Sequence, residues 1–82
     1  MSQRIRYAME RFPDLAQAIK LYCADNRFFR GLCEDYGEAV EVLHGWEQAN
    51  GTSPSERIST CRELVADLEQ EILTELERWN GG

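Results

Sequence analysis

Glu41 and His44 stand three residues apart in the stretch EDYGEAVEVLHGWE. On a helix that spacing sets a carboxylate beside an imidazole, as in carboxylate-bridged di-metal bundles. Such ligands must point into the bundle. At about 100° per residue, with Leu43 at the centre of the apolar stripe, Glu41 lies roughly 160° away and faces outward. The chain has a single histidine, so only a symmetric dimer could offer two such motifs. The pair therefore reads as a solvated i,i+3 contact. A metal-binding helical bundle using Glu41 and His44 is the alternative, and no metal or other cofactor is expected.

Nucleophilic chemistry is equally thin. His44 is the only ordinary base near neutral pH. Cys23, Cys33 and Cys61 are expected at separate levels of the fold. Cys61 falls near Leu43, one position from His44, but its side faces the core and reads as packing. Gly31, Gly37 and Gly45 are scattered within a helix and form no phosphate loop. No catalytic residue is assigned, and the chain is not expected to be an enzyme.

The cysteine count is odd, C-x-x-C is absent, and no signal-like segment or membrane-length apolar run is seen. A reduced, cytoplasmic protein is expected. Its net charge of −6, with only 9 basic residues thinly spread, disfavours nucleic acid and anionic membranes as partners. An acidic mimic of nucleic acid is kept as an alternative.

Such side chains are positioned by helices alone, because β-branched residues never alternate with polar ones. Residues 1–11 are weakly patterned and are taken as a flexible or frayed arm. A single helical domain follows over 12–82. Phe12-Pro13-Asp14-Leu15 opens a short helix, about 13–24, carrying Leu15, Ile19 and Tyr22. Asp25 or Asn26 caps a long helix, about 26–49. Along it Phe29, Leu32, Tyr36, Ala39, Leu43 and Trp46 form a heptad seam. Phe28, Cys33 and Val40 widen that seam. Ser53-Pro54-Ser55-Glu56 is a capping box for a third helix, about 54–79. Ile58, Cys61, Val65, Leu68, Ile72, Leu76 and Trp79 line one stripe of it, and Leu64 and Leu73 flank that stripe.

Two long helices joined by a short polar turn predict a coiled-coil-like antiparallel hairpin. The register agrees: Trp46 with Ile58, Leu43 with Cys61, Ala39 with Val65, Tyr36 with Leu68 and Leu32 with Ile72 share one sum of residue numbers. Gly31, Gly37 and Gly45 fall on the outer face of the second helix. Each costs about 1 kcal/mol of propensity relative to Ala. They mark either a close helix approach or an exterior tolerated by a strong seam, and the second reading is taken.

Phe28, Phe29, Tyr36, Trp46 and Trp79 are many rings for a two-helix seam. The first helix can fold back over the end near Trp79 but not over the turn end near Trp46 and Ile58. An uncovered apolar patch is expected there, and such patches mark association. The resulting prediction is an all-α protein that dimerises into a four-helix bundle and acts through protein–protein interaction, as a scaffold or adaptor. Tyr36, Leu43, Trp46, Ile58 and Trp79 are its expected contact residues. A regulatory inhibitor docking on a larger protein is the neighbouring alternative.

Phe12-Pro13, Asp25-x-x-Phe28, Leu32, Tyr36 and the run Leu68, Glu71, Ile72 together resemble the YdcH-like small bacterial helical-hairpin proteins. The resemblance spans roughly residues 12–77. It implies a soluble bacterial hairpin and supplies no catalytic residues. Fewer lysines, a longer turn at ANGTSPS and a tryptophan at each end of the seam depart from the family pattern.

Overall fold

The structure is a computed structural model that describes residues 3–50 and 56–79. Among these only Phe12 and Asn26 lie outside a helix, so the protein is all-α. The helices are α1 (Gln3–Arg11), α2 (Ala16–Asp25), α3 (Arg27–Asn50) and α4 (Glu56–Trp79), with a 3₁₀ turn over Pro13–Leu15 before α2. The expected turn centre at Gly51-Thr52, most of the capping box (Ser53-Pro54-Ser55) and the terminal Asn80-Gly81-Gly82 lie outside the described residues.

The largest departure from expectation is α1. Where the sequence suggests a frayed arm over 1–11, Gln3–Arg11 form a helix packed along α3. Ile5 and Ala8 are buried in the core, and Tyr7, Met9 and Phe12 pack against it. Burying an Ile side chain stabilises by about 1.5–3 kcal/mol, one part of what offsets the cost of ordering a short helix.

Two breaks divide the N-terminal half, and each has a local cause. The α region is disfavoured for a residue preceding proline, and Phe12, before Pro13, adopts φ −123°, ψ 69°. Its N–H closes α1 by donating to the Ala8 carbonyl at 3.0 Å. The second break is Asn26, extended at φ −139°, ψ 116°. Its N–H donates to the Tyr22 carbonyl, ending α2, while its Oδ1 accepts from the Phe29 N–H at 2.9 Å, starting α3. Of the two candidate caps, Asn26 does the capping, a bond worth about 1 kcal/mol.

These breaks fold α1 and α2 back onto α3, and α2 also reaches α4. One core results, with Ile5 of α1, Ile19 and Tyr22 of α2, Phe29 and Cys33 of α3, and Ile72 of α4. The Tyr22 ring stacks on Phe29 at 4.2 Å and on Trp79 at 4.8 Å. The expected cover over Trp79 is therefore supplied by α2. No polar or charged residue is buried among the described residues.

Candidate interaction surface

The seam of α3 that meets α4 has two flanks. On the first, α1 lies close. A Cβ built on Gly37 falls 2.6 Å from Arg4 Cβ and 2.8 Å from the Arg4 carbonyl carbon, so only glycine fits there. One of the three outward glycines is thus a close helix approach, while Gly31 and Gly45 have open space beside them. One turn along, Arg4 Nε donates to Glu41 Oε1 at 3.3 Å.

A polar node ties three helices together on this flank. The Tyr36 hydroxyl of α3 donates to Glu69 Oε2 of α4 at 2.8 Å, and Arg11 Nε at the end of α1 donates to the same oxygen at 3.1 Å. Burial and the Glu69 carboxylate both push the Tyr36 phenol well above its ordinary range, since neither tolerates a second negative charge. The phenol is a neutral donor to the Glu69 carboxylate.

The second flank is open. Among the described residues, none of α1 or α2 lines the two grooves found there. Near its middle a groove of about 390 Å³ runs between α3 and α4, floored by Ala39, Val42, Leu64 and Leu68 with Cys61, and edged by Asp35 and Glu38. Toward the far end a second groove of about 370 Å³ is lined by Phe28, Leu32, Gln70, Glu71, Thr74, Glu75 and Arg78. Phe28, Leu64 and Val42 are 70%, 50% and 44% exposed, and they join this face into an apolar strip. Glu75 pairs with Arg78, whereas Asp35, Glu38 and Glu71 have no ion pair among the described residues.

The residues singled out from sequence fall differently. Tyr36 and Ile58 are 3% and 4% exposed, so both are buried within the chain, Tyr36 in the core cluster. Trp79 is half-buried under Tyr22. Leu43 is half-buried in the seam, and half-buried Trp46 lies under the Arg57 guanidinium at 5.2 Å. The exposed strip instead centres on Phe28, Val42 and Leu64. Leu64 and Phe28 were legible as flanking apolar positions; Val42 sits about 100° off the seam centre and belongs to no stripe.

Glu41 is engaged by Arg4, and His44 lies exposed beside Glu47 and Gln48, away from the groove that holds Cys61. No group of three or more His, Cys, Asp or Glu is placed to hold a metal ion among the described residues. Cys23 and Cys33, expected at separate levels, are both free and buried in the one core cluster. No described helix is long and apolar enough to cross a membrane. Neither a family model, nor a curated protein, nor a solved structure matches the chain.

Proposed function

We propose that the chain is a small cytoplasmic, non-catalytic interaction protein whose α3–α4 pair is an antiparallel hairpin. A second copy laid on the open flank completes a four-helix bundle. The observation that carries this reading is the strip of Phe28, Val42 and Leu64, exposed on a face that α1 and α2 leave bare. Covering large apolar side chains is the usual reason such a strip persists. The groove linings support the antiparallel register: Val42 shares a groove with Cys61 and Leu64, and Phe28 with Glu75 and Arg78, so α4 numbers rise as α3 numbers fall. The relation to YdcH-like proteins stays part of this proposal and rests on the residues that carry the resemblance.

A second reading has an observation of its own. Asp35, Glu38 and Glu71 edge the strip with no ion pair among the described residues, and a second copy would bring these carboxylates toward each other. A basic amphipathic helix of another protein would satisfy both the apolar floor and the acidic rim. The protein would then be an adaptor or docking inhibitor.

Light scattering over a wide concentration range, on the wild type and on Val42→Asp and Leu64→Asp, tests both. A dimer that either substitution dissociates supports self-association through the open flank. A monomer at every concentration removes self-association and leaves the basic-helix reading. A dimer indifferent to both substitutions moves the contact elsewhere.

A further inference from the structure

The open flank carries a spacing of its own. On α3, Phe28, Leu32, Asp35, Ala39 and Val42 line the two grooves at steps of four, three, four and three. On α4, Cys61, Leu64, Leu68, Glu71, Glu75 and Arg78 line them at steps of three, four, three, four and three. Those are heptad spacings, so the two stripes suit a third helix packed between them in coiled-coil fashion.

The stripes change character along their length. Val42 and Leu64 are large and exposed at one end, and Phe28 at the other. Between them stand the exposed carboxylates of Asp35 and Glu71, with Glu38 on the same groove edge as Asp35. The Tyr36 bond to Glu69 joins α3 to α4 at this level, one residue from Asp35 and two from Glu71. Asp35 and Glu71 therefore form one acidic layer inside an otherwise apolar stripe. A single polar layer of that kind fixes register and selects the partner. The covered flank shows which chemistry meets such carboxylates in this chain. Its occupant, α1, is a helix bearing Arg4, Arg6 and Arg11. That helix buries Ile5 and Ala8, pairs Arg4 with Glu41 and pairs Arg11 with Glu69.

We propose that the open flank docks one basic amphipathic helix of another protein, with apolar side chains at heptad positions and an arginine or lysine in the middle of its seam. This rests on the second of the two readings above and adds a register to it. The outer apolar positions cover Val42 and Leu64 at one end and Phe28 at the other. The central cation lies level with Asp35 and Glu71. From Phe28 to Val42 the helix rises about 21 Å, so two to three heptads of partner, about 14–21 residues, span the stripe. A second copy laid there sets the same carboxylates against their own counterparts, and like-charge contact is costly.

The test titrates the full chain, dilute enough to be monomeric, into two labelled helical peptides of about three heptads. One has leucine at the seam positions and a single arginine at the central one. The other is its isomer, with that arginine moved to the outer face and an outer glutamine in its place. Net charge and composition are thus equal, and only position differs. Fluorescence anisotropy should show the seam-arginine peptide binding about tenfold more tightly than its isomer. Leu64→Asp should abolish binding of both. The double variant Asp35→Asn, Glu71→Gln should bring the two peptides to equal affinity. Equal binding of the two peptides to the wild type overturns the central cation and leaves the open flank as an apolar docking face. Binding that survives Leu64→Asp overturns the site itself. No binding of either peptide overturns the basic-helix reading as well, and a dimer seen by light scattering in the same samples would assign the flank to a second copy.

Discussion

The two flanks of α3 are built from one helix yet are finished in opposite ways. On the covered flank the residues are small where α1 must approach, Gly37 against Arg4, with Ala8 of α1 fully buried. The charges there are matched, Glu41 with Arg4 and Glu69 with Arg11 and Tyr36. On the open flank Phe28, Val42 and Leu64 are large and exposed, Glu75 pairs with Arg78, and Asp35 and Glu38 make no ion pair among the described residues. Exposed ion pairs are worth at most about 1 kcal/mol each, so the matched charges on the first flank orient α1 and the buried Ile5 and Ala8 hold it. The covered and the open flank of α3 thus differ in charge matching as much as in hydrophobicity.

The largest effects should come from undoing the covered flank. Ile5→Ala removes a side chain 1% exposed and should cost about 2–5 kcal/mol, read by urea unfolding. A cost near zero would return α1 to the status of a loose arm. Gly37→Ala comes next. Its methyl would press on the Arg4 backbone, which a flexible side chain cannot relieve, so about 1–3 kcal/mol should be lost despite better helix propensity.

The polar node should matter less. Tyr36→Phe removes the donor to Glu69 and should cost about 1 kcal/mol. Its pH dependence has a definite sign. The folded-state phenol titrates above the unfolded value of about 10, so its contribution is fully present below that pH and is lost as pH rises beyond it. Unfolding titrations of the wild type should therefore fall more steeply above pH 10 than those of Tyr36→Phe. Parallel curves would detach Tyr36 from the node.

How much of this was legible depends on side-chain size. The seam, the Phe12-Pro13 break and an Asn26 cap can be read from spacing and turn chemistry, because large apolar residues and cap residues leave a periodic trace. The helix α1 could not, because its close approach to α3 sets the Arg4 backbone on Gly37 and buries Ala8, and small residues carry little hydropathy signal. Ile5, Ala8, Met9 and Phe12 do repeat at three and four, a trace hidden by Arg4, Arg6 and Arg11 among them. The burial of Cys23 and Cys33 in one core was invisible for another reason: it depends on α2 folding back at Asn26, a tertiary event that neither helix encodes alone. The shift of the exposed strip from Trp46 to Val42 and Leu64 follows from which flank α1 chose.

The remaining glycines separate the flanks further. Gly31 and Gly45 have nothing within reach of an added methyl. Gly31→Ala and Gly45→Ala should each stabilise by about 1 kcal/mol through helix propensity alone, opposite in sign to Gly37→Ala. A loss at either position would mean that another part of the chain, or a second copy bound to it, approaches closely there.

The smallest change in folding stability is expected on the open flank itself. Val42→Gln and Leu64→Gln replace side chains 44% and 50% exposed, and surface substitutions of this kind usually stay within about 0.5 kcal/mol. The measurement must be made at a concentration where the chain is monomeric, because a partner copy would add its own binding energy to apparent stability. Repeating it at high concentration then sharpens the comparison. A self-associating wild type gains stability with concentration and the two variants do not. If both variants instead lose several kcal/mol as dilute monomers, Val42 and Leu64 belong to the internal core, and the two flanks of α3 are alike.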